Sequence, residues 1–124
     1  VEFYQQSTGN KKGDPWCCAF VVNCFDTAGV TFPFTRSGRV QVVVDSAKAS
    51  QSVHETPQEG DLMVLYYPTL KRYGHIGFVL KVLPDNRVET IEGNTSGAGS
   101  RDGWGCFAQN RAVTSHMRFL RWVP

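Results

Sequence analysis

The chain has 124 residues, 41% of them hydrophobic, and thirteen basic against eleven acidic side chains give a formal charge of +2. That length fits a single domain, residues 1–124, able to bury a core without disulfide staples. The charge excess is too small to argue for a nucleic-acid partner, and no apolar run approaches the roughly 18 residues of a membrane span.

In chain order, VEFY and the polar stretch QQSTGNKKGD read as a short apolar anchor followed by a loop. The chain opens on Val rather than Met and carries no basic-then-apolar leader, so a processed or excised segment, trimmed at its N-terminus, is expected. DPWCCAFVVNCFDTAG follows. Asp14 suits an N-cap, Pro15 the first helical position and Gly29 the left-handed position after the last turn, which predicts a helix from about Pro15 to Ala28. Within it Cys17, Phe20, Val21, Cys24, Phe25 and Ala28 form one apolar stripe at helical spacing.

Cys17 therefore falls in the first turn. Unpaired N–H groups and the positive end of the helix dipole favour an anion there, and the thiolate is the nucleophilic form of cysteine. On helix position alone Cys17 reads equally as a small buried apolar residue like Cys24. Cys18 points about 100° round the helix, away from the centre of the stripe, and is the weaker candidate. The four cysteines, at 17, 18, 24 and 106, lack paired C-x-x-C spacing, so free thiols are expected rather than a zinc site or a disulfide framework.

After Gly29, VTFPFTRSG reads as a packed loop broken by Pro33. RVQVVVDSAKAS, 39–50, fits helix and strand templates alike. From Pro57 the pattern turns to β: Leu62–Tyr67, His75–Leu83, Arg87–Glu92 and Met117–Val123 are rich in β-branched or aromatic residues and bounded by turn formers. Helices first and strands after predict an α+β fold. The second and third strands flank Pro84-Asp85-Asn86 and should form an antiparallel hairpin. An even-numbered loop sets His75 opposite position 96 and puts Glu92 and Asn94 on the His75 side; an odd loop reverses that parity.

A cysteine at a helix N-terminus, a histidine opening a strand and a carboxylate closing the next are the parts of a Cys-His-acid hydrolase. In that arrangement His75 pairs with the Cys17 thiolate and later protonates the leaving amine, Glu92 orients the imidazole, and backbone N–H groups at the helix start hold the oxyanion. His54 and His116, in HETPQEG and VTSHMR, read as solvated surface residues. Trp16, Tyr73 and Trp104 are aromatic candidates for lining a substrate groove, each of which also reads as simply packed. The Gly-rich loop Gly93 to Gly105 does not resemble a phosphate cradle, and Asp61 after Gly60 reads as a turn residue.

WCCAFVVNCFDTAG, EGDLMVL, YGHIGFVL and IEGNTS, followed by R-x-V-T-S, resemble in order the CHAP domain, the cysteine- and histidine-dependent amidohydrolase/peptidase family of bacterial and phage cell-wall lysins. The likeness runs over roughly residues 13 to 123. It implies a papain-like α+β fold, N-terminal helices packed on a C-terminal antiparallel sheet, and favours helix for 39–50. It also implies Cys17 as nucleophile, His75 as base, Glu92 as orienting acid and Asn94 as a further polar group. The substrate so implied is peptidoglycan, cut at the N-acetylmuramoyl-L-alanine amide or within the stem or cross-bridge. Some similar sequences hold Ca²⁺ in a D-x-D loop before the nucleophile; here only Asp14 is present, so no metal or other cofactor is expected. A monomer acting on the bacterial cell wall is the expectation. The alternatives are a non-catalytic wall-binding module and a cysteine amidase acting on a different amide.

Overall fold

The computed structural model describes residues 17–93 and 106–122. Asp14, Pro15, Trp16, Asn94, Trp104 and the loop between Gly93 and Gly105 that joins them lie outside, apart from Gly93 itself. Among the described residues the order is helix α1 (Cys17–Thr27), helix α2 (Val40–Ala49), then strands β1 (Val53–His54), β2 (Leu62–Tyr67), β3 (Arg72–Leu83), β4 (Arg87–Gly93), β5 (Cys106–Ala112) and β6 (Met117–Leu120). The strands form one six-stranded antiparallel sheet, ordered β1-β6-β2-β3-β4-β5. The fold is α+β in character.

Helix α1 is buried on more than the expected stripe. Cys18, Ala19, Val22 and Asn23 are buried along with Cys17, Phe20, Val21 and Phe25, while Cys24 is half-buried and Ala28 exposed. Cys18, off the centre of the stripe, is nonetheless fully buried, because α1 meets the sheet on one side and the 30–39 loop on another. The helix ends as its sequence requires. Gly29 has φ +72°, the Val30 N–H donates to the Phe25 carbonyl at 3.0 Å and the Gly29 N–H to the Asp26 carbonyl at 3.1 Å, which satisfies the last carbonyls in a Schellman motif.

The valine run of α2 resolves as helix because Val40, Val43, Val44 and Ala47, at i, i+3, i+4 and i+7, all bury on one face. Both helices contribute to the main core with Leu62, Val64, Ile76 and Leu120, and Phe78 and Ile91 pack against it. α1 meets β3 and β4; α2 meets β3 and β1. The alternate residues of the same strands, Met63, Val79, Val88, Met117 and Phe119, make a second cluster on the other side of the pleat. Burying one such large apolar side chain contributes about 2–3 kcal/mol.

The β3–β4 hairpin corrects the expected register. Leu83 pairs with Arg87, so the loop is the odd one, Pro84-Asp85-Asn86, with Asp85 at φ +62° and Asn86 at φ +56°. Asp and Asn tolerate the left-handed region, which makes this three-residue turn accessible. Taken alone, it would send Glu92 to the face away from His75. A bulge between Val79 and Lys81 inserts Leu80 as an unpaired residue, and beyond it Val79 pairs with Thr90 and Phe78 with Ile91. One extra residue flips the alternation back, so Glu92 aligns with Gly77 and returns to the His75 face.

Candidate active site

Three glycines let the site close, each because a neighbouring side chain occupies the space of its missing Cβ. A Cβ on Gly93 would lie 2.5 Å from Cγ of Phe20, so α1 sits directly on the end of β4. A Cβ on Gly77 would lie 2.6 Å from Cγ of Glu92, and one on Gly74 would lie 2.5 Å from the ring of Tyr67. Gly74 is also unpaired, since Leu65 faces His75 while Tyr66 faces Tyr73. That bulge leaves His75 and Tyr67 on the same side of the sheet as Glu92.

Glu92 is the centre of the resulting cluster. Its side chain is 0% exposed, and four donors fill the roughly four lone-pair positions of its carboxylate. His75 Nε2 lies 2.6 Å from Oε1, Arg111 Nη2 donates to Oε1 at 2.7 Å, Arg111 Nε to Oε2 at 2.6 Å, and the Thr90 hydroxyl to Oε2 at 2.5 Å. Burial by itself pushes this carboxyl pKa up, but the bonds from Arg111, His75 and Thr90 outweigh it and bring it down to about 2. An ionised carboxylate can only accept, so His75 Nε2 carries a proton and Nδ1 is the nitrogen left for a second partner.

The Cys17 side chain, 6% exposed, is near enough to act on the same ring. Burial pushes the imidazole pKa down, but Cys17 and Glu92 prevail and raise it to about 9. His75 is therefore an imidazolium at neutral pH, held between a sulfur and a carboxylate.

Against known proteins, the family model described as the CHAP domain matches residues 9–94. The chain belongs to the CHAP family. Among solved structures, the crystal structure of N-acetylmuramoyl-L-alanine amidase from Staphylococcus aureus is similar, with a TM-score of 0.56 and 21% sequence identity, over 84% of this chain and 30% of that one. At that identity the likeness is one of fold, and this chain spans about 30% of the length of the amidase. No curated protein matches the chain.

In this CHAP domain the sequence candidates Cys17, His75 and Glu92 meet in one cluster, whereas Trp16, Asn94 and Trp104 lie outside the described residues. Tyr73 is not brought to the cluster. Its ring is half-buried against the main core, 5.2 Å from Tyr66 and under Lys48 Nζ at 5.9 Å, and its N–H donates to Gln41 Oε1. The aromatic at the cluster is instead Tyr67, 37% exposed, whose phenol pKa is raised by burial and then by the charge of Cys17, against the opposing effect of Arg111. Thr90 carries no signal in the sequence, and Arg111 enters there only as the first residue of R-x-V-T-S, with no role attached. An alternating strand from 106 to 112 would have put Arg111 on the Glu92 face, but CFAQNRA is only half-buried on one side and shows no apolar alternation.

Other polar candidates have structural partners. Asp61 accepts from the Gln58 N–H and from Arg121 Nε and Nη2, tying the β2 turn to the end of β6. His116 is exposed and stacks on Tyr66, and His54 is half-buried in β1. All four cysteines are free. The Cys18 thiol donates to the Ser37 carbonyl at 3.0 Å, and burial, then the neighbouring Cys17, push its pKa far up; the Cys24 thiol is pushed to about 11, first by burial. No group of three or more His, Cys, Asp or Glu side chains among the described residues is arranged to hold a metal ion.

Proposed function

We propose that this chain is a peptidoglycan hydrolase that cleaves an amide bond through a Cys17–His75–Glu92 mechanism, in a papain-like arrangement of helices on a sheet. The observation that carries the reading is the buried Glu92 carboxylate 2.6 Å from His75 Nε2, with Cys17 acting on the same ring. A histidine set between a cysteine sulfur and a carboxylate is the arrangement by which a cysteine hydrolase activates its nucleophile.

In the first half-reaction the Cys17 sulfur attacks the amide carbonyl carbon, and the oxygen takes up the electron pair as an oxyanion. The backbone N–H of Cys17, at the start of α1, would stabilise it. His75 passes its Nδ1 proton to the leaving nitrogen, the C–N bond breaks, and an acyl thioester on Cys17 remains. His75, now neutral, takes a proton from an incoming water, whose oxygen attacks the thioester carbon. The carboxylic acid departs and the thiolate–imidazolium pair is restored. Glu92 stays ionised throughout and fixes the ring. Asn94 would add a polar group beside this unit, and Trp16 and Trp104 would line the groove.

The family and the amidase neighbour support peptidoglycan as the substrate, cut between N-acetylmuramic acid and L-alanine or within the stem or cross-bridge. Digestion of purified peptidoglycan and of defined muropeptides, followed by mass spectrometry, tests this. A new free carboxyl and amine at one amide position are expected, and none with Cys17→Ala. Intact muropeptides alongside a wild-type protein whose Cys17 is readily alkylated would move the activity to a different amide.

A further inference from the structure

A carboxylate that serves only to orient an imidazole needs one acceptor oxygen, yet Glu92 is also gripped by a guanidinium from the next strand. Arg111 stands on β5, beyond the 9–94 segment that the family model matches. Its Nε and Nη2 reach the two different oxygens of Glu92 at 2.6 and 2.7 Å, a fork on a fork, with the Arg111 side chain 31% exposed and the Glu92 side chain fully buried.

Resting on the mechanism above, we infer that Arg111 is a positioning residue for the Cys17–His75–Glu92 unit, whose guanidinium fork keeps Glu92 ionised and sets the plane of its carboxylate toward His75. Two planar groups joined by two parallel bonds cannot rotate independently. With Thr90 closing the second oxygen, the one remaining direction on Oε1 points at Nε2. Among the described residues, the charged or titratable groups that act on Glu92 are His75 from β3, Arg111 from β5 and Tyr67 from β2, with Cys17 of α1 acting on the far side of the His75 ring.

Without Arg111 two acceptor positions of a buried carboxylate lose their donors. Burial then pushes the carboxyl toward its neutral form. A protonated Glu92 would donate to Nε2, force the proton onto Nδ1 and leave the ring in the wrong tautomer to accept from water. Arg111 also carries a cost, because a second cation beside Glu92 dilutes its pull on the imidazolium. The fold thereby trades some stabilisation of His75 for a carboxylate that never changes charge or orientation.

Arg111→Met and Arg111→Lys test this in the full chain. In the Met variant the side-chain carboxyl of Glu92, followed by ¹³C NMR, should titrate about one pH unit or more higher. Iodoacetamide alkylation of Cys17 at neutral pH should slow about tenfold, and the maximal rate on purified peptidoglycan should fall with the half-saturating amount unchanged. The Lys variant, which keeps the charge and loses the fork, should return the Glu92 titration close to wild type while recovering only part of the rate. A folded Met variant with Glu92 titration and Cys17 alkylation unmoved would reduce Arg111 to a structural contact and overturn the inference. So would a loss confined to the half-saturating amount, which would make Arg111 a substrate contact. Should Arg111→Met fail to fold, a wild-type hydrolysis rate in Arg111→Lys overturns it instead. The NMR and alkylation readouts need no substrate, so a failure of the peptidoglycan reading leaves them intact and distinguishable.

Discussion

Replacing Glu92 with Gln removes one charge and almost no volume, and the contacts show what that does. The amide nitrogen must take the place of one carboxylate oxygen. Wherever it goes, its N–H groups confront donors: Arg111 Nη2 and His75 Nε2 on one side, Arg111 Nε and the Thr90 hydroxyl on the other. Breaking a fully buried ion pair costs about 3–5 kcal/mol, and the 31% exposure of Arg111 puts the cost here below that. The catalytic effect is separate. A His75 pKa raised from 6.5 to about 9 corresponds to about 3 kcal/mol favouring the imidazolium, part of it from Glu92 and part from Cys17. Losing the Glu92 share should pull the alkaline limb of the pH–rate profile, near pH 9 in wild type, down by about one pH unit or more. The maximal rate should fall about 100- to 10,000-fold, since the ring loses both its charge partner and its fixed tautomer.

The same shifts set how stability depends on pH. Because His75 is raised in the folded state, its contribution is complete below about pH 6.5 and is lost as the pH rises through about 9. Glu92 is depressed, so its contribution is present above about pH 4.5 and lost as the pH falls through about 2. Wild type should lose up to about 3 kcal/mol between pH 6.5 and 10 in urea denaturation, and the Gln variant should show a flatter slope. The assay pairs these titrations with mass spectrometry of muropeptide products across pH, with circular dichroism to confirm folding. A folded Glu92→Gln protein with a rate within threefold of wild type, on the order of 1 kcal/mol or less, and an unmoved alkaline limb would refute the assignment.

Three further outcomes are expected. Cys17→Ala or Cys17→Ser should abolish hydrolysis with the circular dichroism unchanged, whereas Cys18→Ala should stay active and lose about 1–3 kcal/mol of stability, because it empties a buried site and strands the Ser37 carbonyl; equal inactivation of both variants would reject the choice of nucleophile. His75→Ala should be as damaging as loss of Cys17, since the two act as one unit, while His116→Ala, at an exposed position, should leave muropeptide turnover near wild type. Gly77→Ala should lower turnover about tenfold or more, because the added methyl must displace Glu92 Cγ from 2.6 Å; an active variant whose structure keeps the His75–Glu92 bond would show that the strands yield there.

Much of this arrangement can be read from local patterns, because local chemistry decides it. Gly29 after an apolar stripe ends α1 with a left-handed residue, and the β2 strand runs from Leu62 to Tyr67 because Gly60 and Pro68 bound it. The short β1 and the edge strand β5 are not legible. Val53-His54 is too brief for a period, and CFAQNRA lacks the apolar alternation that a fully covered strand carries. With β5 unseen, Arg111 had no strand to stand on.

The sequence by itself determined the α+β character, the β3–β4 hairpin and the family membership carried by motifs around Cys17, His75 and Glu92, since periodicity, turn residues and motif spacing are properties of the chain alone. Only the tertiary structure decided which groups meet Glu92. The expected even turn is a three-residue turn, and the bulge at Leu80 restores the parity it would have broken. A bulge inserts wherever strand twist and the packing of both faces require it, which no short window of residues encodes. The fork of Arg111 and the nearness of Tyr67 arise in the same way. Both come from strands that neighbour the site in space, and long-range pairing sets their positions whatever the propensity of their own residues.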